Sequence, residues 1–179
     1  MSTPPGQADL TFQSNKTISI RSKKMCYVFW YTFPVGRIGI AEEDNAIVMV
    51  GFMDEKECAG CTVKETILIK KTAGQLDEYF KGKRKIFDLP LSLHGTGFQK
   101  AVWKKLQKIP FGRTRSYKDI AVMIGNPKAS RAVGMAANRN PVSIIVPCHR
   151  MLGSNGSLTG YAGGLHIKEY LLNLEKKYV

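Results

Sequence analysis

One stretch of the chain sets a nucleophile, a base and a cation side by side: Pro147, Cys148, His149 and Arg150 close the run from Asn140 to Arg150. A cysteine attacks as its thiolate, and adjacent basic groups favour that form. His149 and Arg150 are both able to do so for Cys148. The apolar triplet Ile144 to Val146 is expected to be a buried, strand-like segment that Pro147 ends rigidly, which would hold Cys148 at the edge of a packed core. Further on, a carboxylate lies downstream, a context that favours a chemical role for Cys148 over that of an inert buried thiol. A second group of thiols lies upstream. Cys58 and Cys61 have the C-x-x-C spacing of metal and redox sites, with Cys26 as a third thiol. No histidine precedes His94, so structural zinc, a reversible disulfide and plain thiols all stay open there.

Something must hold these residues in place. Three runs rich in β-branched and aromatic residues, Cys26 to Phe33, Val35 to Glu42 and Ala46 to Phe52, are separated by Pro34 with Gly36 and by Glu43 to Asn45, and predict a three-stranded antiparallel meander. Apolar spacing from Val63 to Phe80 predicts a helix covering that sheet. The linker from Leu89 to Gly97 marks a domain boundary near His94. Beyond it, Thr96 caps a helix over Gly97 to Ile109, Ser116 caps a second over Tyr117 to Ile124, and a Gly-Asn-Pro turn leads into a third over Lys128 to Asn138. Helix, short turn, helix is helix-turn-helix syntax, with the third helix in the recognition position. Ala129, Ser130, Ala132, Gly134, Ala136 and Ala137 make it slim, suited either to a narrow groove or to tight helix packing.

The fold class is therefore α+β: a flexible arm over residues 1–24, a small antiparallel sheet with a covering helix over 25–93, and a mainly helical, winged-helix-like domain over 94–179. Charge divides the same way. The 179 residues carry a net charge of +13, but residues 94–179 hold 14 Lys and Arg against three acids, and the first 93 are nearly balanced. A basic half beside a helix-turn-helix reads as a phosphate-binding surface. The hydrophobic fraction of 44% excludes a wholly disordered chain. No apolar run reaches the roughly 20 residues needed to cross a bilayer. Four cysteines are too few for a disulfide scaffold and fit a reducing compartment.

Pro147-Cys148-His149-Arg150, preceded by Asn140-Pro141 and followed by Gly160-Tyr161-Ala162-Gly163-Gly164-Leu165, Lys168, Leu171-Leu172 and Glu175, resembles the active-site signature of the O6-alkylguanine-DNA alkyltransferases (methylated-DNA–protein-cysteine methyltransferases). Gly95-Thr96-Gly97-Phe98-Gln99, Val102-Trp103, Leu106, Ile109-Pro110, Gly112, Thr114, Ser116-Tyr117 and Ala121 are similar to the same family. The resemblance covers residues 95–175 in detail, and the N-terminal half only in size and layout.

It implies that Cys148 accepts an alkyl group, that His149 deprotonates it through a water, and that Glu175 orients His149. Tyr117 would assist the leaving guanine at N3 and help rotate the target phosphate. Arg131 would fill the stack in place of the extruded nucleotide, and Asn140 would fix the turn to the active site. The DNA-binding set is Arg131, Asn140, Ala129, Ser130, Ala132, Gly134, Thr114 and Ser116, and the pocket is Val146, Met151, Tyr161, Ala162 and Gly163. The implied partner is duplex DNA containing O6-alkylguanine, its base flipped out for the reaction. No cofactor and no membrane are expected, although some relatives carry structural zinc. The protein would be a monomer in the nucleus of a eukaryote, otherwise in the cytoplasm. A cysteine hydrolase built on Cys148, His149 and Glu175 is the competing reading, and turnover would distinguish it.

Overall fold

In the computed structural model, which describes residues 25–179, the three apolar runs pair as Cys26–Phe33 (β1), Gly36–Glu43 (β2) and Ala46–Gly51 (β3). The arm assigned to residues 1–24 lies outside the described residues. Asp44 and Asn45 both take positive φ, 51° and 59°, the two-residue hairpin turn whose twist matches that of the strands it joins. Alternation then sorts the side chains. Ile38, Ile40, Ile47 and Val50 enter the main core with Ile69, Leu76 and Tyr79 of α1 (Ile67–Phe80), which Thr66 caps. Val28, Ala41 and Met49 form a separate cluster with Met53 and Cys58.

A fourth strand, β4 (Thr62–Val63), corrects the three-stranded expectation. It lies parallel to β1 at the sheet edge, giving the order β3-β2-β1-β4. Its register sets Tyr27 opposite Thr62, so Cys26 and Cys61, each one residue earlier, come together and form a disulfide. That overturns plain thiols at these two positions and removes two of the three sulfurs a zinc ion would need. Cys58 remains a buried thiol, with burial and the nearby Glu57 and Asp54 pushing its pKa up to about 11. Bridging positions 35 residues apart stabilises the fold by about 4 kcal/mol in the chain-entropy account. Reductant should therefore lower the melting temperature of the wild type by roughly 8–16 °C and leave that of Cys26→Ser unchanged. A wild-type melt indifferent to reductant would contradict the bridge.

The C-terminal half is mainly helical: α2 (Gly97–Leu106), β5 (Arg115–Ser116), α3 (Tyr117–Met123), α4 (Ser130–Asn138), β6 (Met151–Leu152) and α5 (Leu165–Lys177). Thr96 with Gln99 and Ser116 with Asp119 form complete capping boxes, which satisfy two otherwise orphaned backbone donors at each helix start. Trp103 Nε1 donates to the Ala136 carbonyl at 2.8 Å and ties α2 to α4. The halves are joined along β3. Its Ile47 exchanges backbone hydrogen bonds with Pro90 and Ser92 of the linker, and Val50 does so with Pro141 and Ser143 just ahead of Cys148.

Candidate active site

The segment carrying the nucleophile is not the strand that its apolar triplet suggested. After Ser143, Ile145 N bonds back to Ser143 O and Val146 N to Val142 O, closing a tight turn with Ile144 at φ 71°. A β-branched residue there is strained, so the surroundings must impose the conformation. Asn140 does so from beneath: Nδ2 donates to Val146 O at 2.7 Å and Oδ1 accepts from Val142 N at 3.1 Å. The same Nδ2 lies 3.3 Å from Cys148 Sγ. Cys148, His149 and Arg150 then form one 3-10 turn, all buried.

His149 Nε2 is 2.7 Å from Glu175 Oε1, while Nδ1 is buried without a hydrogen-bond partner among the described residues. Burial holds the imidazole pKa below its ordinary value despite the Glu175 carboxylate, so at neutral pH His149 is an uncharged base rather than a cation stabilising Cys148. Arg150 also departs from its expected role. Its guanidinium grips Glu175 through Nε and NH2 at 2.9–3.1 Å and gives NH1 to the Ile109 carbonyl. The Gly112 amide donates to Glu175 Oε2 at 2.9 Å and Tyr79 Oη to Oε1 at 2.8 Å. Burial alone would raise the carboxyl pKa, but the bonds and charges of His149 and Arg150 outweigh it and bring Glu175 to about 2. It is a fixed anion aimed at His149.

The surrounding loop presents a polar entrance. Tyr117 Oη donates to the Thr159 carbonyl at 2.9 Å, and Lys168 Nζ, fully buried, donates to the same oxygen at 2.7 Å. Burial lowers Lys168 to about 8, with the Cys148 side chain acting in the opposite sense. Val146 and Tyr161 are buried and Ala162 is half-buried. A Cβ on Gly163 would stand 2.7 Å from the Phe52 ring, so only glycine lets this loop close against the N-terminal half. Met151 is wholly enclosed within the core rather than lining an open pocket.

On the expected DNA face, Arg131 and Thr114 are exposed, and Ala129, Ser130, Ala132 and Gly134 are half-buried along α4. The two readings of the slim helix divide by face, since Ala136 and Ala137 are buried in the packed core while Arg131 and Met135 face outward. Ser116 spends its hydroxyl as the α3 cap. Asn140 does not belong with the DNA-facing residues: it is 1% exposed and all its described partners are internal. Tyr79, Gly112 and the role of Arg150 were not foreseen. Tyr79 sits on the apolar stripe of α1, where a tyrosine reads as core, and a backbone amide such as that of Gly112 leaves no mark in sequence.

Comparison with known proteins agrees with this geometry. Residues 97–177 match the DNA binding domain of 6-O-methylguanine DNA methyltransferase, and residues 26–93 match its ribonuclease-like domain. A methylated-DNA–protein-cysteine methyltransferase from Methanosarcina acetivorans is 50% identical over 152 residues, 83% of this chain and 97% of that one. The crystal structure of the O6-methylguanine methyltransferase of Mycobacterium tuberculosis superposes with a TM-score of 0.81 at 40% identity, covering 87% of this chain and 95% of that one. A complex of the Mycobacterium tuberculosis protein with DNA matches with a TM-score of 0.80 at the same identity, over 86% and 94%. With both halves matched and a buried cysteine next in sequence to a histidine held by a glutamate, the chain belongs to the 6-O-methylguanine DNA methyltransferase family, the methylated-DNA–protein-cysteine methyltransferases.

Proposed function

We propose that this protein repairs DNA by moving the alkyl group of O6-alkylguanine, methyl foremost, onto Cys148 Sγ in one irreversible step. The Cys148 proton passes through a water to His149 Nδ1. The thiolate forms an S–C bond as the C–O6 bond breaks, the guanine leaves as an anion that takes a proton at N3 from Tyr117, and the proton held by His149 returns through solvent to the Tyr117 phenolate. An S-alkylcysteine holds no leaving group that would regenerate the thiol, so each molecule reacts once. The observation that carries this reading is the enclosed Cys148 beside a neutral His149 whose Nε2 is committed to Glu175 and whose Nδ1 has no described protein partner. The names of the relatives and the DNA-bound neighbour support the substrate.

A base stacked in a duplex cannot reach a buried thiol, so the nucleotide must be flipped out, at a cost of a few kcal/mol. Exposed Arg131, in the first turn of α4, is placed to fill the gap it leaves. The protein acts as a monomer and needs no cofactor. Incubation with a duplex containing O6-methylguanine should add one methyl group to the intact mass, on Cys148, and none to Cys148→Ala. Arg131→Ala should slow reaction with the duplex at least tenfold while leaving reaction with the free modified base unchanged. An unmodified wild type, or repeated turnover on an ester, would refute the assignment.

A further inference from the structure

The N-terminal half has so far served as a scaffold, yet one of its side chains reaches the reactive centre. We propose that Tyr79 is a positioning residue for alkyl transfer, its phenol fixing the Glu175 oxygen that faces His149 and so keeping the imidazole proton on Nε2. The inference rests on the role proposed above for Cys148 and His149.

Tyr79 lies in the last turn of α1 and has no solvent exposure. Its hydroxyl donates to Glu175 Oε1 at 2.8 Å, the oxygen that stands 2.7 Å from His149 Nε2, and is itself 3.5 Å from that nitrogen. The phenol of α1 thus meets the imidazole and the guanidinium of the 3-10 turn at one oxygen of α5. The ring cannot drift, because Phe80, Phe87 and Phe111 surround it with centroids 5.5, 5.6 and 5.9 Å away. Burial and the negative charge of Glu175 push the phenol pKa well above its ordinary value, so it stays protonated and has a proton to donate.

Tyr79, the Gly112 amide and the Arg150 guanidinium all donate to the Glu175 carboxylate. A carboxylate surrounded by donors accepts from His149 as well, which leaves the imidazole lone pair on Nδ1 for Cys148. The groups facing this pair are Glu175 and Lys168 from α5, Arg150 and Cys148 from the 3-10 turn, Tyr79 from α1, and Tyr161 from the entrance loop. A phenol donating to Oε1 also spreads the carboxylate charge. Removing it lets Glu175 hold an imidazolium more strongly, so the depressed pKa of His149 rises towards its ordinary value. Protonated His149 cannot accept the Cys148 proton, and the acid limb of the transfer rate should move to higher pH with it.

Tyr79→Phe keeps the ring and deletes only the oxygen. In the full-length protein, transfer from O6-methylguanine duplex should fall roughly tenfold, the loss of one hydrogen bond to a charged group. The acid limb should rise by about 0.5–1 pH unit, and the nitrogen shifts of His149 should titrate with it. Unchanged rate and pH profile in a folded Tyr79→Phe overturn the proposal, as does a slower rate with an unshifted profile, which would mark a packing role. The wild type alone supplies a further test: an Nδ1–H tautomer of His149 in its nitrogen spectrum overturns the proposal whatever the variant does. A wild type that gains no methyl group would instead defeat the reading of Cys148 on which it rests.

Discussion

Glu175→Gln is expected to slow alkyl transfer by about 100-fold or more and to destabilise the fold by about 3–5 kcal/mol, because it breaks a buried pair from one side. The variant has nearly the volume of the original, so the effect is not one of packing. Glu175 is 1% exposed and meets only donors: His149, Tyr79, Gly112 and Arg150. A glutamine must turn its amide N–H groups towards at least one of them. Either way the buried guanidinium of Arg150 loses its counter-charge; if the N–H groups face Arg150 they also oppose its own donors, and if they face His149 the imidazole is pressed into the opposite tautomer and presents a proton to Cys148 instead of a lone pair.

The same carboxylate governs the acid stability of the protein. Its folded pKa, about 2, lies below the ordinary 4.5, so its contribution is complete above about pH 4.5 and is lost as pH falls towards 2. A gap of this size corresponds to about 3 kcal/mol. Wild-type stability should fall across that window in urea titrations, and Glu175→Gln, already lower at neutral pH, should fall distinctly less. Parallel curves for the two proteins would show that the acid sensitivity arises elsewhere.

What the sequence revealed of this arrangement follows from how local each signal is. Thr96 and Ser116 were legible as caps because a capping box is written within four residues. Cys148 and His149 were legible because they are neighbours of unmistakable chemistry, and Glu175 because it falls at a fixed place in a motif extending beyond them. β4 was not, since two residues carry no period, and without β4 nothing brings Cys26 to Cys61. The triplet Ile144 to Val146 showed that it would be buried but not how. A strand and a strained turn bury the same side chains, and the choice is made by Asn140 and by pairing of Val142 with Val50, a contact far away in sequence. Arg150 was misread for a related reason: adjacency to Cys148 in sequence places its Cα, while the guanidinium is drawn to Glu175, 25 residues on.

Asn140 is where the fold and the chemistry depend on the same atoms, and an isosteric change separates them. In Asn140→Asp, Oδ1 still accepts from Val142 N, but an oxygen replaces the Nδ2 that donates to Val146 O and lies 3.3 Å from Cys148 Sγ. An ionised Asp would set two negative groups within about 4 Å of each other, and at that distance their repulsion is on the order of 4 kcal/mol for a partly screened pair. If the Asp instead takes up a proton to avoid this, it has one hydrogen to offer where the amide offered two, and either Val146 or the sulfur goes without. Transfer should therefore fall by on the order of 100-fold or more, with a loss of stability of about 2–3 kcal/mol from the weakened strap under Ile144. Asn140→Ala is the control. It loses the strap as fully, so its melting temperature should drop at least as far, but it places no charge beside the nucleophile and should keep more of the transfer rate. Single-turnover rates on methylated duplex decide the matter: Asp slower than Ala despite equal or better stability means that Asn140 tunes the thiolate directly, whereas rates that follow stability in both variants would reduce its role to holding the turn.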